Sequence, residues 1–141
     1  MVSTIVMWLV LVLVASCGTS PTAPASPDVL GTWKGTIADE SGISGTASIS
    51  LTSQNAQGVA GTFTIASGAT SLSIDGVASG TTVGPVLTLF LVPSSPLVCS
   101  PTLTLSGSIS LSMTLANGRL TGRYSGVTCG SARSGTLDLS K

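Results

Sequence analysis

Residues Thr102 to Leu115 read TLTLSGSISLSMTL, with every odd position apolar or glycine and every even position serine or threonine. A period of two over that length is a strand with one dry face and one wet face, and it leaves no room for a helical stripe. The pattern recurs in shorter runs separated by turn residues: LGTWKGTI, TASISLT, GTFTIAS, SLSIDGVA, PVLTLFLV, RLTGRYSG and SGTLDLS. Eight strands with short connections predict an all-β domain, an antiparallel up-and-down meander closing into a small eight-stranded barrel. A β-sandwich is the alternative; it usually needs longer crossovers.

Register follows from parity, because paired strands must put their apolar residues on one face. Asn117-Gly118 as a two-residue turn sets Leu115 against Leu120, Met113 against Gly122, Leu111 against Tyr124 and Ile109 against Gly126. A four-residue loop Cys129 to Ala132 sets Tyr124 against Leu137 and Gly126 against Gly135. A loop Ser67 to Thr70 sets Ile65 against Leu72 and Phe63 against Ile74. The dry faces also carry Gly35, Gly45, Gly61, Gly76, Gly107, Gly122, Gly126 and Gly135, which permit sharp coiling and leave room for the large groups Trp33, Phe63 and Tyr124.

Composition excludes several kinds of chemistry. Charged residues make up 7% of the 141-residue chain, against roughly 25% in an ordinary soluble domain. Five cations balanced by five acids form no patch suited to nucleic acid. Histidine is absent, and with it the commonest general acid–base group and metal ligand. No serine or cysteine sits in a recognisable nucleophile arrangement, and no glycine-rich loop joins a strand to a helix to hold phosphate. The expectation is a protein without catalytic residues, metal or cofactor. Asp39-Glu40 reads as a pair of solvated turn residues, and Arg123 with Asp138 as a cross-strand ion pair on the wet face. Val86, Phe90 and Val92 break the serine–threonine rule on the wet parity of their strand. Either they meet a partner, or the register is irregular near Pro85.

The N-terminus has a different grammar. Ile5 to Ala15 is an apolar run of 11 residues, about 16 Å as a helix and half of a hydrocarbon core, which suits a secretory signal and not a membrane span. It ends Val14-Ala15-Ser16-Cys17. This resembles the lipobox of bacterial lipoproteins, an aliphatic residue and two small residues before cysteine. The resemblance implies cleavage between Ser16 and Cys17, acylation of Cys17, and attachment to the bacterial cell envelope. Gly18 in place of an aspartate implies, by the same resemblance, the outer membrane. Residues 1–16 then form the signal, and 17–28 the lipidated cysteine with a proline-, serine- and threonine-rich tether. Residues 29–141 form the barrel domain.

Two cysteines remain in the exported part, Cys99 in the loop PSSPLVCSP and Cys129 at the start of the last loop. A meander brings these loops to one end, and an oxidising compartment makes a Cys99–Cys129 disulfide the expectation, closing a loop worth roughly 3–4 kcal/mol. Gly31-Thr32-Trp33 resembles the Gly-x-Trp signature of lipocalins, and with Gly61-Thr62-Phe63 it is similar to the spacing in the first strands of avidins. Both families are eight-stranded meander barrels that bind small molecules in the mouth, so the resemblance implies the architecture; Trp33 is expected as a core plug near the anchored end. The function expected is that of a lipid-anchored envelope protein with a structural or interaction role, or else a lipocalin-like carrier of a small apolar ligand. A protein partner or ligand is expected at the loop end distal to the tether.

Overall fold

The computed structural model describes residues 26–42, 44–56, 58–68, 73–95, 97–100, 103–105, 108–128 and 131–141. Its strands are β1 (Gly31–Asp39), β2 (Ser44–Asn55), β3 (Gly58–Ser67), β4 (Ser73–Val83), β5 (Val86–Pro93), β6 (Leu97–Ser100), β7 (Leu103–Leu105), β8 (Ile109–Ala116), β9 (Arg119–Thr128) and β10 (Ser131–Ser140). Eight of them close a barrel in the order β1-β10-β9-β8-β5-β4-β3-β2, while β6 and β7 form a separate two-stranded sheet. Every pairing is antiparallel, and β1 pairs with β10 to complete the ring. The fold is therefore all-β and a closed up-and-down barrel, not a sandwich.

The dry parity points inward. Trp33, Ile49, Leu51, Phe63, Leu87, Leu89, Leu91, Leu111, Met113, Leu120 and Leu139 are all at most 2% exposed. These side chains retain almost no accessible surface, so they fill the waist of the barrel. The serine and threonine parity points outward, the reverse of a membrane-spanning barrel, which turns its apolar band to lipid. Inward glycines let rings lie across them. Phe63 pairs directly with Gly76, and a Cβ built there would lie 2.8 Å from the Phe63 ring. Tyr124 pairs with Gly135 in the same way, at 2.6 Å.

Four details differ from the parity reading. The Thr102–Leu115 run is not one strand. β5 reaches Pro93 and then has no ladder to offer, so Ile109 is the first residue paired to the barrel, opposite Leu91, while Leu103–Leu105 pairs locally with β6. The alternation persists through both pieces because it fixes faces and not partners. Between β9 and β10 the register is Tyr124 with Gly135 and Leu137 with Gly122, two residues from the four-residue-loop expectation. Ile65 pairs with Ile74 and Phe63 with Gly76, again a shift of two, because the connection is longer than four residues. A shift of two leaves every face unchanged, which is why the core is as expected although the loops are not. Finally, β5 pairs with β4 and β8 without any register break, so Val86, Phe90 and Val92 face outward on a regular strand, and no bulge near Pro85 explains them. The Asn117-Gly118 hairpin has the expected register, with both turn residues at positive φ, 51° and 72°.

Candidate functional site: the two ends of the barrel

Strand order sorts the connections into two ends. The segment before β1, the turns β2–β3, β4–β5 and β8–β9, and the C-terminal Lys141 share one end. The turns β1–β2, β3–β4 and β9–β10 share the other, with the β6–β7 hairpin between β5 and β8. This is the division of connections that an up-and-down meander predicts.

The end at which β1 begins is shut by the chain that enters there, residues 26–30. Val29 is fully buried beneath it and belongs to the core. The Gln54 side-chain amide holds this strap at two points: Val29 N donates to Gln54 Oε1 at 3.0 Å, and Gln54 Nε2 donates to the Pro27 carbonyl at 2.9 Å. Trp33 Nε1 donates to the Val29 carbonyl at 2.8 Å, so the buried indole has its polar atom satisfied. The Lys141 ammonium sits 4.8 Å from the Trp33 ring centre, within cation–π range. Sequence reasoning missed Gln54. Strict alternation along β2 puts Leu51, Ser53 and Asn55 inward, but a register shift between Leu51 and Ser53 moves Gln54 opposite the buried Val59. An extra residue in one strand reverses the parity beyond it, and the sequence at that point carries no apolar residue that would have marked the switch.

The distal end is organised by Asp39. Its Oδ1 accepts from Ser41 N at 2.9 Å and from Ser41 Oγ at 2.7 Å, and its carbonyl accepts from Gly42 N at 3.1 Å. Arg133 Nη1 lies 3.6 Å from Asp39 Oδ2 and 3.4 Å from Ser41 Oγ. The Asp39 side chain is 11% exposed, so it is a turn-forming group and not the solvated residue expected; Glu40 is exposed, and its backbone N donates to the Ser134 carbonyl at 3.0 Å. Partial burial, with the nearby Asp39 charge adding to it and Arg133 opposing, raises the Tyr124 pKa above its ordinary value of 10.0. The expected Arg123–Asp138 pair does not form. Asp138 faces Thr121 across the strands and reaches diagonally to Arg119, with Nε to Oδ1 at 3.1 Å and Nη2 to Oδ2 at 2.5 Å. The two-residue register shift is the cause, and it puts Thr136 opposite Arg123.

Among the described residues no cluster of three potential metal ligands occurs. Ser16, Cys17 and Cys129 lie outside the described residues. The Cys99 backbone lies in β6, at the end where the chain also turns from β9 into β10. No protein-family model matches the chain, and no curated protein matches it either.

Proposed function

We propose that this chain is a lipid-anchored lipoprotein of the bacterial cell envelope, placed in the outer membrane, with a structural or interaction role and no catalytic activity. The solid core carries this reading: the waist is packed with Leu87, Leu89, Leu91, Leu111, Met113, Leu120 and Leu139, and the strap closes the tether end. A filled interior favours a rigid module displayed on a tether over a lipocalin-like carrier, which needs an empty calyx. Val14-Ala15-Ser16-Cys17 supplies the anchor, and the chain from Cys17 enters at the end sealed by Val29 and Trp33. The distal end then points away from the bilayer. A Cys99–Cys129 disulfide would fasten the β6–β7 hairpin to the β9–β10 turn there, as a structural bond.

Mass spectrometry of the mature N-terminus tests the anchor. An acylated Cys17 as first residue is the expected result, and Cys17→Ala abolishes the acyl mass and releases or retains the precursor. An unmodified Cys17 on a soluble product refutes the reading.

A further inference from the structure

Charge is distributed on one side of the barrel. The five cations are Lys34 on β1, Arg119 and Arg123 on β9, Arg133 on β10, and the terminal Lys141. In the ring order, β4 and β5 stand opposite β10 and β1. The outer face of β4 and β5 carries one charge, Asp75, near the distal rim. Below it the cross-strand pairs form four rows: Val77 with Val92, Ser79 with Phe90, Thr81 with Thr88, and Val83 with Val86. The apolar members are exposed, Val83 at 75%, Val77 at 54% and Phe90 and Val92 at 47%.

We propose that this face binds the same face of a second copy of the chain, across a two-fold axis parallel to the strands. The pairing pattern carries the inference. Such an axis sets β5 of one copy against β4 of the other, because rotation exchanges left and right on facing sheets. Each row then meets itself. Val77 faces the partner Val92, Val83 faces Val86, and Thr81 faces Thr88. Phe90 faces Ser79, the smallest side chain of the eight, so the one large knob meets the one hollow; Ser110 on the other side of Phe90 keeps the knob unobstructed. Six of the eight side chains are valine or threonine, whose stiff χ1 loses little freedom on burial. The face carries no cation, and its one acid lies at the rim, so like charges do not oppose contact. The axis also leaves both straps at the same end, as two chains tethered to one membrane require; this last point rests on the anchor reading, and the row matching does not.

Eight outward side chains on two strands present on the order of 500 Å² per copy, below the roughly 800 Å² per partner of a standard stable interface. Association is therefore weak in dilute solution and strengthened where copies share a surface. Photo-cross-linking in cells producing the full chain captures such a complex. With p-benzoylphenylalanine in place of Phe90, or separately of Thr88, the expected product is an adduct of twice the chain mass. For the Phe90 position the attachment maps to the segment containing Ser79 of the second copy. The same probe in place of Thr136 on β10 gives at least about tenfold less, and Val86→Lys lowers the Phe90 adduct about tenfold by placing unpaired charge in the contact. A thermal melt of each variant confirms that it is folded. A double-mass adduct attached elsewhere, an adduct to lipid or to another protein, or no adduct from either position overturns the proposal. Failure of the anchor reading is seen separately, as an unacylated N-terminus.

Discussion

The two ends of the barrel are held by different means. At the end where β1 begins the closure is internal: Val29 is driven into the core, and its backbone is held by side chains from the first two strands, Gln54 and Trp33. At the distal end the order is peripheral: Asp39 folds its own turn, Arg133 braces it, and Tyr124 lies half-buried over Gly135. Closure by burial is sensitive to side-chain volume and to one unsatisfied amide. Organisation by exposed polar contacts is sensitive to charge and screened by salt. The ends should therefore fail in different ways.

The largest effect is expected at the end closed by Val29. Trp33→Ala removes the plug and the hydrogen bond to Val29, costing about 3–5 kcal/mol, and a thermal melt should show Tm lower by more than about 10 °C. Gly135→Ala tests the distal core. The added Cβ collides with the Ala38 carbonyl oxygen and the Tyr124 ring, and the expected loss is about 1–3 kcal/mol in denaturant unfolding. If Gly135→Ala is neutral, neither the Ala38 carbonyl nor the Tyr124 ring lies against this glycine.

Gln54→Ala separates the strap from the barrel. It leaves Val29 N and the Pro27 carbonyl without their partner, at a cost of about 1–3 kcal/mol. Hydrogen exchange should quicken at Asp28, Val29 and Leu30 and stay unchanged at the turns of the opposite end. Uniform acceleration would mean that the strap is part of one cooperative unit with the barrel.

The smallest effect is a pH dependence confined to the distal end. Tyr124 has its folded-state pKa raised above 10.0, chiefly by burial. Its contribution is fully present below the unfolded value of about 10 and is lost as pH rises through the folded value, so stability falls on the alkaline side. Tyr124 is the only tyrosine, and Tyr124→Phe should flatten that part of the stability–pH curve. An unchanged slope assigns the alkaline loss to other groups.

Legibility in the sequence follows the same division between faces and partners. The inward set from Trp33 to Leu139 is readable because alternation encodes faces directly. The Asn117-Gly118 hairpin is readable down to its register because a two-residue turn leaves no freedom in pairing. A four-residue loop was not fixed in length by its residues: the β3–β4 connection is longer than Ser67–Thr70 and the β9–β10 connection shorter than Cys129–Ala132, and each changes the pairing by two without disturbing any face. The break in Thr102–Leu115 was hidden because two short strands and one long strand share the same alternation. Gln54 was hidden by a bulge that reverses parity without any apolar marker.

The proposed role requires the barrel to be a filled module and not a carrier. Titrating the purified protein with an environment-sensitive fluorescent fatty acid tests it most directly. With Leu89, Leu91, Leu120 and Leu139 all fully buried, no saturable binding is expected. Saturable uptake at one probe per chain, with quenching of Trp33 fluorescence, would contradict it.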